Sequence, residues 1–370
     1  MQLFGKNLDH EVAVVAEIGV NHEGSFDKAI TLMRLSHQAG ADAAKFQTFT
    51  PERFASTSNS ARLEQICTFD LGEAGFRNLA EEAAALDFPI FSTAASEDVV
   101  PLLDELFPVI KIASGDIDFE LVIRAAAGTG KPVILSTGLA TMGELRNAID
   151  WFRDAAGTDD IRDRLVLMQC VSAYPTPADQ AHVRAVSYLA DETGLRVGYS
   201  NHVIGIEPCL AAVALGACVI ETHFTDCKTN REFRDHALSC DSDDMRRLVK
   251  MIPVVRASLG DYGKVRQESE LENLDNIRKG VVAARNLEVG TVLSRDDRRL
   301  PRKRGLGQAG HIESMVGANP GLRERSAGRV DGERRVRARV VPARVPGLAA
   351  QADQGRGVPR RPRDPERGRR

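Results

Sequence analysis

The stretches Val197-Gly-Tyr-Ser200-Asn-His202 and Cys218-Val-Ile-Glu221-Thr-His223-Phe224 decide how this chain reads. Each is a short apolar run that breaks off into polar residues and a histidine. In a parallel barrel both imidazoles would sit at the C-terminal mouth, where such barrels keep their chemistry. That pattern points to a metal centre, and hence to an enzyme. The competing explanation is two histidines satisfied within polar loops.

Working outward, short β-rich runs alternate with amphipathic segments as far as about residue 260. The strand candidates are Val12–Gly19, Ala43–Phe49, Pro89–Thr93, Val109–Ala113, Val133–Thr137, Leu165–Val171, Arg196–Ser200 and Val219–Phe224. The helix candidates include Ser25–Ala39, with Ser25 as N-cap and Gly40 just beyond its end. Others are Gly75–Asp87, Glu97–Leu106, Phe119–Gly128, Met142–Ala156, Ala178–Thr193, Gly205–Gly216 and Asp241–Leu259. Eight strands alternating with helices predict an α/β fold, a closed (β/α)8 TIM barrel. A doubly wound open sheet is the alternative, but it would gather polar residues at one switch point. Here nearly every strand ends in them: Glu17 with Asn21, Lys45 with Gln47, Thr93, Lys111 with Ser114, Ser136, Tyr174, Ser200 with His202, and Glu221 with His223. One such end is ordinary loop polarity; a full set describes a ring around one pocket.

The chain has 370 residues, and 43% are hydrophobic, enough for a sizeable core. The net charge of -3 argues against nucleic acid as a partner. The six cysteines include no CxxC pair, as expected of reduced thiols in a cytoplasmic protein. No signal-peptide core or membrane-length apolar run is present in the sequence, so no membrane partner is expected.

The domain reading is a barrel over 1–262, a charged linker over 263–280, a small β unit over 281–317 and a tail over 318–370. The β unit would turn at Glu288-Val-Gly290. Residues 321–370 hold 15 Arg, no Lys and six acids, a local charge of +9. The tail is either a disordered basic segment or the product of a reading-frame shift in a GC-rich gene. Resequencing the gene separates the two.

Lys45, Lys111, Thr93, Ser114, Ser136 and Ser200 are cations and hydroxyls that converge from separate strand ends, which suits a phosphate or carboxylate. The small residues of Lys111-Ile-Ala-Ser-Gly115 and Leu135-Ser-Thr-Gly138 would let backbone N–H groups approach an anion. His202 and His223 could hold one divalent ion with open positions; Mn, Fe and Zn all fit by softness. Glu17 and Glu221 are candidates to orient or deprotonate a water, with a salt bridge to a barrel lysine as the alternative for Glu221.

At these residues the chain resembles the sialic acid synthase (N-acetylneuraminate synthase) family. The resemblance rests on Ala16-Glu-Ile-Gly-Val-Asn-His-Glu-Gly24, Gly40-Ala-Asp-Ala-Ala-Lys-Phe-Gln-Thr-Phe49, Lys111-Ile-Ala-Ser-Gly115, Gly130-Lys-Pro-Val-Ile-Leu-Ser-Thr-Gly138, Tyr174-Pro-Thr-Pro177 and Gly198-Tyr-Ser-Asn-His202. It runs from about residue 11 to 300, and the 281–297 segment looks like the start of the family's antifreeze-like (SAF) domain.

The resemblance implies condensation of phosphoenolpyruvate with an N-acylated amino-sugar aldose, giving a 2-keto-3-deoxy acid and phosphate. It implies that Lys45, Thr93, Lys111, Ser114, Ser136, Ser172 and Ser200 bind phosphoenolpyruvate. It implies Gln47, Tyr174, Asp235 and Arg304 as sugar contacts, and Glu17, Glu221 and Asp116 as catalytic carboxylates. His202 and His223 would bind Mn2+, with Mg2+ or Co2+ as alternatives, to polarise the aldehyde oxygen. It further implies a domain-swapped homodimer. The chain departs from the family pattern at Asn201 (usually Asp), at Asp116 (usually Glu) and in Asn230-Arg-Glu-Phe-Arg-Asp-His236, which replaces a Pro-Gly-Pro-Asp stretch. Arg231 and Arg234 in that loop would suit a more anionic or otherwise different acceptor. Two other readings are a metal-dependent aldolase of another class, or a Schiff-base one through Lys111, and a non-catalytic sugar-acid-binding homologue.

Overall fold

The computed structural model describes residues 1–299 apart from 56–57, 289–290 and 293. The first compact unit, Met1–Asp261, is built on eight parallel strands. They are β1 (Ala13–Gly19), β2 (Ala43–Thr48), β3 (Ile90–Ala94), β4 (Ile110–Ile112), β5 (Val133–Ser136), β6 (Leu165–Gln169), β7 (Arg196–Asn201) and β8 (Val219–His223). Each pairs with the next, and β8 returns to β1 in the register Val219–Ala13 through His223–Glu17. The sheet is therefore a closed α/β barrel, and the open-sheet alternative is excluded.

All residues of these strands are buried except Gln47, which is partly so. Helices cover the outer face and side chains fill the interior, so the strands read as near-continuous apolar runs. The buried charges Glu17, Lys45, Lys111 and Glu221 stand out against that background.

The helices follow their local signals. Ser25 caps Phe26–Gln38 by accepting from the Lys28 N–H, as expected. Thr141 with Glu144, and Asp241 with Asp244, form reciprocal capping boxes at the starts of Met142–Ala156 and Ser242–Leu259. The predicted helix 178–193 is broken: a 3-10 turn at Ala178–Gln180 is followed by a helix only over Ala185–Thr193. His182 takes a left-handed φ of 48° between them, which no continuous helix allows. Three helices of the barrel unit were not foreseen: Pro51–Phe54, Ser60–Phe69 and Asp235–Leu238. They lie in the loops after β2 and β8. Ser60–Phe69 buries only Ile66 and Phe69, too few for a clear apolar stripe.

A small antiparallel hairpin, Gln2–Leu3 with Lys6–Asn7, precedes the barrel and turns on the positive-φ pair Phe4 and Gly5. Phe4 stacks on Phe91 of β3, with ring centroids 5.0 Å apart. Arg196 of β7 is buried and donates to Asp9 at 2.9 Å and to the Arg162 carbonyl.

The second unit begins at Tyr262. Its described part has a 3-10 turn at Glu268–Glu270, a short helix at Leu274–Ile277, and Val282–Ala283 paired antiparallel with Arg298–Arg299. Val289 and Gly290 of the expected Glu288-Val-Gly290 turn, Arg304, and the SAF and tail segments beyond 299 lie outside the described residues.

Candidate active site

The C-terminal ends of the strands enclose a pocket of about 1010 Å³. Register explains why. Glu17 of β1 lies beside Lys45 of β2 and His223 of β8, Thr93 of β3 beside Lys111 of β4, and Glu221 of β8 beside Ser200 of β7.

At the floor two lysines and two carboxyl groups, all buried, face one another. Lys45 Nζ lies 2.5 Å from Glu17 Oε2 and donates to Thr93 Oγ1 at 3.1 Å. Glu221 Oε2 lies 3.5 Å from Lys111 Nζ and 4.0 Å from Lys45 Nζ. Lys111 donates to Ser136 Oγ, and Ser200 donates to Glu221 Oε1 at 2.9 Å. The salt bridge expected as the bland role of Glu221 is therefore real, and it is built into the pocket. Unpaired, charges this buried would be expelled or neutralised.

The two carboxyls are driven apart. Burial pushes Glu17 well above the usual carboxylate range, and Lys45 only partly opposes it. Burial also pushes Glu221 up, but the two lysines outweigh it and hold the group low. Two like groups with opposed proton affinities are the signature of divided acid–base roles. Burial lowers Lys111, against the pull of Glu221. Glu221 Oε2 makes ion pairs but no hydrogen bond among the described residues, so it keeps acceptor capacity.

Around Gly138 the hydroxyls of Ser114 and Ser172 converge. Gly138 N–H donates to Ser114 Oγ at 3.1 Å. A Cβ at Gly138 would stand 2.4 Å from Ser172 Oγ and 2.8 Å from Ser114 Oγ, so a side chain there would displace both hydroxyls. Ser172 Oγ is buried with no hydrogen-bond partner among the described residues. Cys170, which the sequence did not single out, contacts Ser114 Oγ at 3.1 Å and lines the pocket. Asp116 ends the 3-10 turn Ser114–Asp116 and also lines it; burial lifts its carboxyl to about 6, helped by Asp118.

The two histidines sit together, with ring centroids 5.4 Å apart. His202 Nδ1 lies 2.6 Å from the Val171 carbonyl. As a donor there it leaves Nε2 with the lone pair a metal ion needs. Burial, reinforced by His223, lowers His202 to about 4, and burial lowers His223 as well. Both imidazoles are thus neutral at ordinary pH. Among the described residues no third His, Cys, Asp or Glu completes a metal cluster with them. Two neutral imidazoles open to outside oxygen donors fit an open catalytic ion, not a closed structural one.

Asn201 explains its own departure from the family pattern. Its Nδ2 donates to the Val203 and Gly205 carbonyls at 2.9 and 3.0 Å, and its Oδ1 accepts from the Val203 N–H at 3.2 Å. The amide is spent on holding the loop after β7.

On the outer side, Tyr174 packs 4.2 Å from the His202 ring and lies under the Arg234 guanidinium, 5.4 Å away. Burial keeps its phenol firmly protonated. Asp235 Oδ2 lies 4.0 Å from His223 Nδ1, and Asp235 Oδ1 lies 3.3 Å from Arg234 Nε. Gln47 donates to Glu17 Oε1 at 3.2 Å, so its amide already has a partner. Arg231 pairs with Asp226 at 2.5 Å and is not a lining residue, whereas Arg234 is. Sequence reading missed Arg62, Gln65 and Phe69 on the wall, because their helix was not foreseen.

The profile of the NeuB family matches residues 32–264. An uncharacterised protein of Methanocaldococcus jannaschii is 37% identical over 77% of this chain and 82% of its own length. The N,N'-diacetyllegionaminic acid synthase of Campylobacter jejuni serotype O:2 is 33% identical over 76% of this chain and 87% of its own. The crystal structure of an N-acetylneuraminic acid (sialic acid) synthetase from Leptospira borgpetersenii superposes with a TM-score of 0.66. It is 31% identical and covers 71% of this chain and 90% of the other. The site's strand-end composition, the fold and these similarities agree, and the chain belongs to the NeuB family.

Proposed function

We propose that the protein condenses phosphoenolpyruvate with an N-acylated amino-sugar aldose to give a nonulosonic-type 2-keto-3-deoxy acid and phosphate. The observation that carries this reading is the buried pair of lysines facing two carboxyl groups of opposed proton affinity beside two neutral imidazoles. The names of the related synthases from Campylobacter and Leptospira support it.

Lys45 and Lys111, with the Ser114, Ser136, Ser172, Ser200 and Thr93 hydroxyls, form an anion site for phosphoenolpyruvate. His202 and His223 would hold a divalent ion such as Mn2+, whose chemistry is Lewis-acid polarisation of the acceptor aldehyde. Tyr174 and Asp235 would orient the sugar from the outer side.

The reaction forms a bond between the phosphoenolpyruvate methylene carbon and the aldehyde carbon. The aldehyde oxygen becomes a hydroxyl with a proton from Glu17, whose affinity, raised to about 7, lets it carry that proton near neutral pH. Water adds to the oxocarbenium carbon and returns one proton to Glu17. The C–O bond to phosphate then breaks, the second water proton leaves with phosphate, and the ketone forms. Glu221 stays ionised and stabilises the positive carbon.

The test is phosphate release from phosphoenolpyruvate with Mn2+ and a panel of acylated amino-sugars, N-acetylmannosamine included. Acceptor-dependent release, lost in His223→Ala, is the expected result. Lys111, with its lowered affinity for a proton, favours one rival, a Schiff-base aldolase. Borohydride trapping of a substrate adduct would establish that rival instead.

A further inference from the structure

One buried histidine ties the loop after β1 to the loop after β8. His236 is fully buried. Its Nε2 lies 2.7 Å from Glu23 Oε1, and its Nδ1 lies 2.7 Å from Thr225 Oγ1. Thr225 Oγ1 also accepts from the Cys227 N–H at 3.1 Å. Lys28 Nζ donates to the same Glu23 oxygen at 3.0 Å. Facing a carboxylate, Nε2 is the donor to Glu23; the single Thr225 hydroxyl proton is shared among His236 Nδ1, the Cys227 carbonyl at 3.0 Å and Asp226 Oδ1 at 3.3 Å.

Glu23 lines the pocket with its side chain 36% exposed. Its backbone is left-handed, at φ 51°, which is costly for a residue that is not glycine. The turn is held from outside: a Cβ on Gly24 would stand 1.9 Å from the Thr68 carbonyl oxygen, so the turn lies hard against the end of helix Ser60–Phe69. Both side-chain bonds of Glu23 fall on Oε1. A carboxylate anchored through one oxygen, in a strained turn on a pocket wall, is built to accept with the other. The condensation chemistry makes no use of it.

We propose that Glu23 is a binding residue of the acceptor subsite that accepts a hydroxyl or N–H of the amino-sugar, and that His236 is its positioning residue. The inference rests on the synthase reading. His236 also follows Asp235 directly, so the same anchor fixes two walls of the subsite.

Glu23→Gln keeps the size of the side chain and removes the charge. In steady-state assays with phosphoenolpyruvate, Mn2+ and the best acceptor of the panel, its acceptor KM should rise roughly tenfold or more, the loss of a hydrogen bond to a charged group. The phosphoenolpyruvate KM should stay within about twofold. Among acceptor analogues lacking one hydroxyl or the acyl N–H, one should bind wild type poorly yet lose nothing further in the variant. His236→Ala should raise the acceptor KM in the wild-type background and add little on top of Glu23→Gln, which a merely structural role would not do. An unchanged acceptor KM in Glu23→Gln would sink the inference while leaving the synthase reading intact. A wild-type chain that releases no phosphate with any acceptor would remove that reading, and this inference with it.

Discussion

Glu17 and Glu221 are the same residue type on adjacent strands, yet their surroundings send their protons in opposite directions. Glu221 faces two ammonium groups, within 3.5 and 4.0 Å, and accepts from Ser200. Glu17 has Lys45 and Gln47, but burial and the charge of Glu221 prevail. A raised affinity means the proton is held below that group's pKa and lost above it. If Glu17 must start protonated, kcat/KM should fall as pH rises through that raised value. Glu17→Gln should lower kcat by roughly 10²–10⁴-fold and erase the basic limb it governs. A pH profile of variant and wild type checks this; a limb that persists in the variant belongs to another group.

At the scale of single elements, the strands were legible and some of the loops were not. Each strand ends within a residue or two of its expected limit because burial on both faces leaves a continuous apolar run. Polar residues then mark where that burial gives way to the pocket. The loops obey contacts from far away in sequence. Helix Ser60–Phe69 meets the distant loop through Phe69 against Phe233, 5.3 Å between rings, and nothing local announces that pair. The candidate site was legible for the same reason as the strands, since most of its residues are strand ends; Glu23 and His236 escaped notice as one unit because they are joined only in space. Asn201 shows the limit of reading residues by type. From its type, the loss of charge would weaken a metal centre or alter the orientation of His202; in the structure the amide is engaged with the loop after β7. Asn201→Asp would remove two donated hydrogen bonds and set a carboxylate against two carbonyls. It should destabilise the fold by about 1–3 kcal/mol in urea unfolding and leave Mn2+ affinity within about twofold. A gain in metal affinity would show instead that the carboxylate reaches the histidines.

Over the whole molecule, the barrel unit Met1–Asp261 contains every described residue of the candidate site. Its core is continuous around the strands, and its closing pairs are internal. A chain ending at Asp261 should therefore melt cooperatively, within about 4 °C of the full chain, the shift that ~1 kcal/mol produces in a domain of this size. A broad, non-cooperative melt by circular dichroism would show that the barrel depends on the residues C-terminal to Asp261. Among the described residues no helix is long and apolar enough to cross a membrane. The Arg-rich stretch from 321 onward has no apolar period to read, so resequencing remains the direct check on it.

The seam between β8 and β1 also sets a clock. Ala13 cannot find Val219, nor Glu17 its neighbour His223, until the last barrel strand has been made. At ~5–20 residues per second, the first strand waits roughly 10–40 s on the ribosome for its partner. Within that interval Glu17, then Lys45 and then Lys111 are made, and all three precede Glu221. The partner of both pocket lysines is thus the last residue of the pocket floor to be made, and until then the nascent barrel has an open sheet edge.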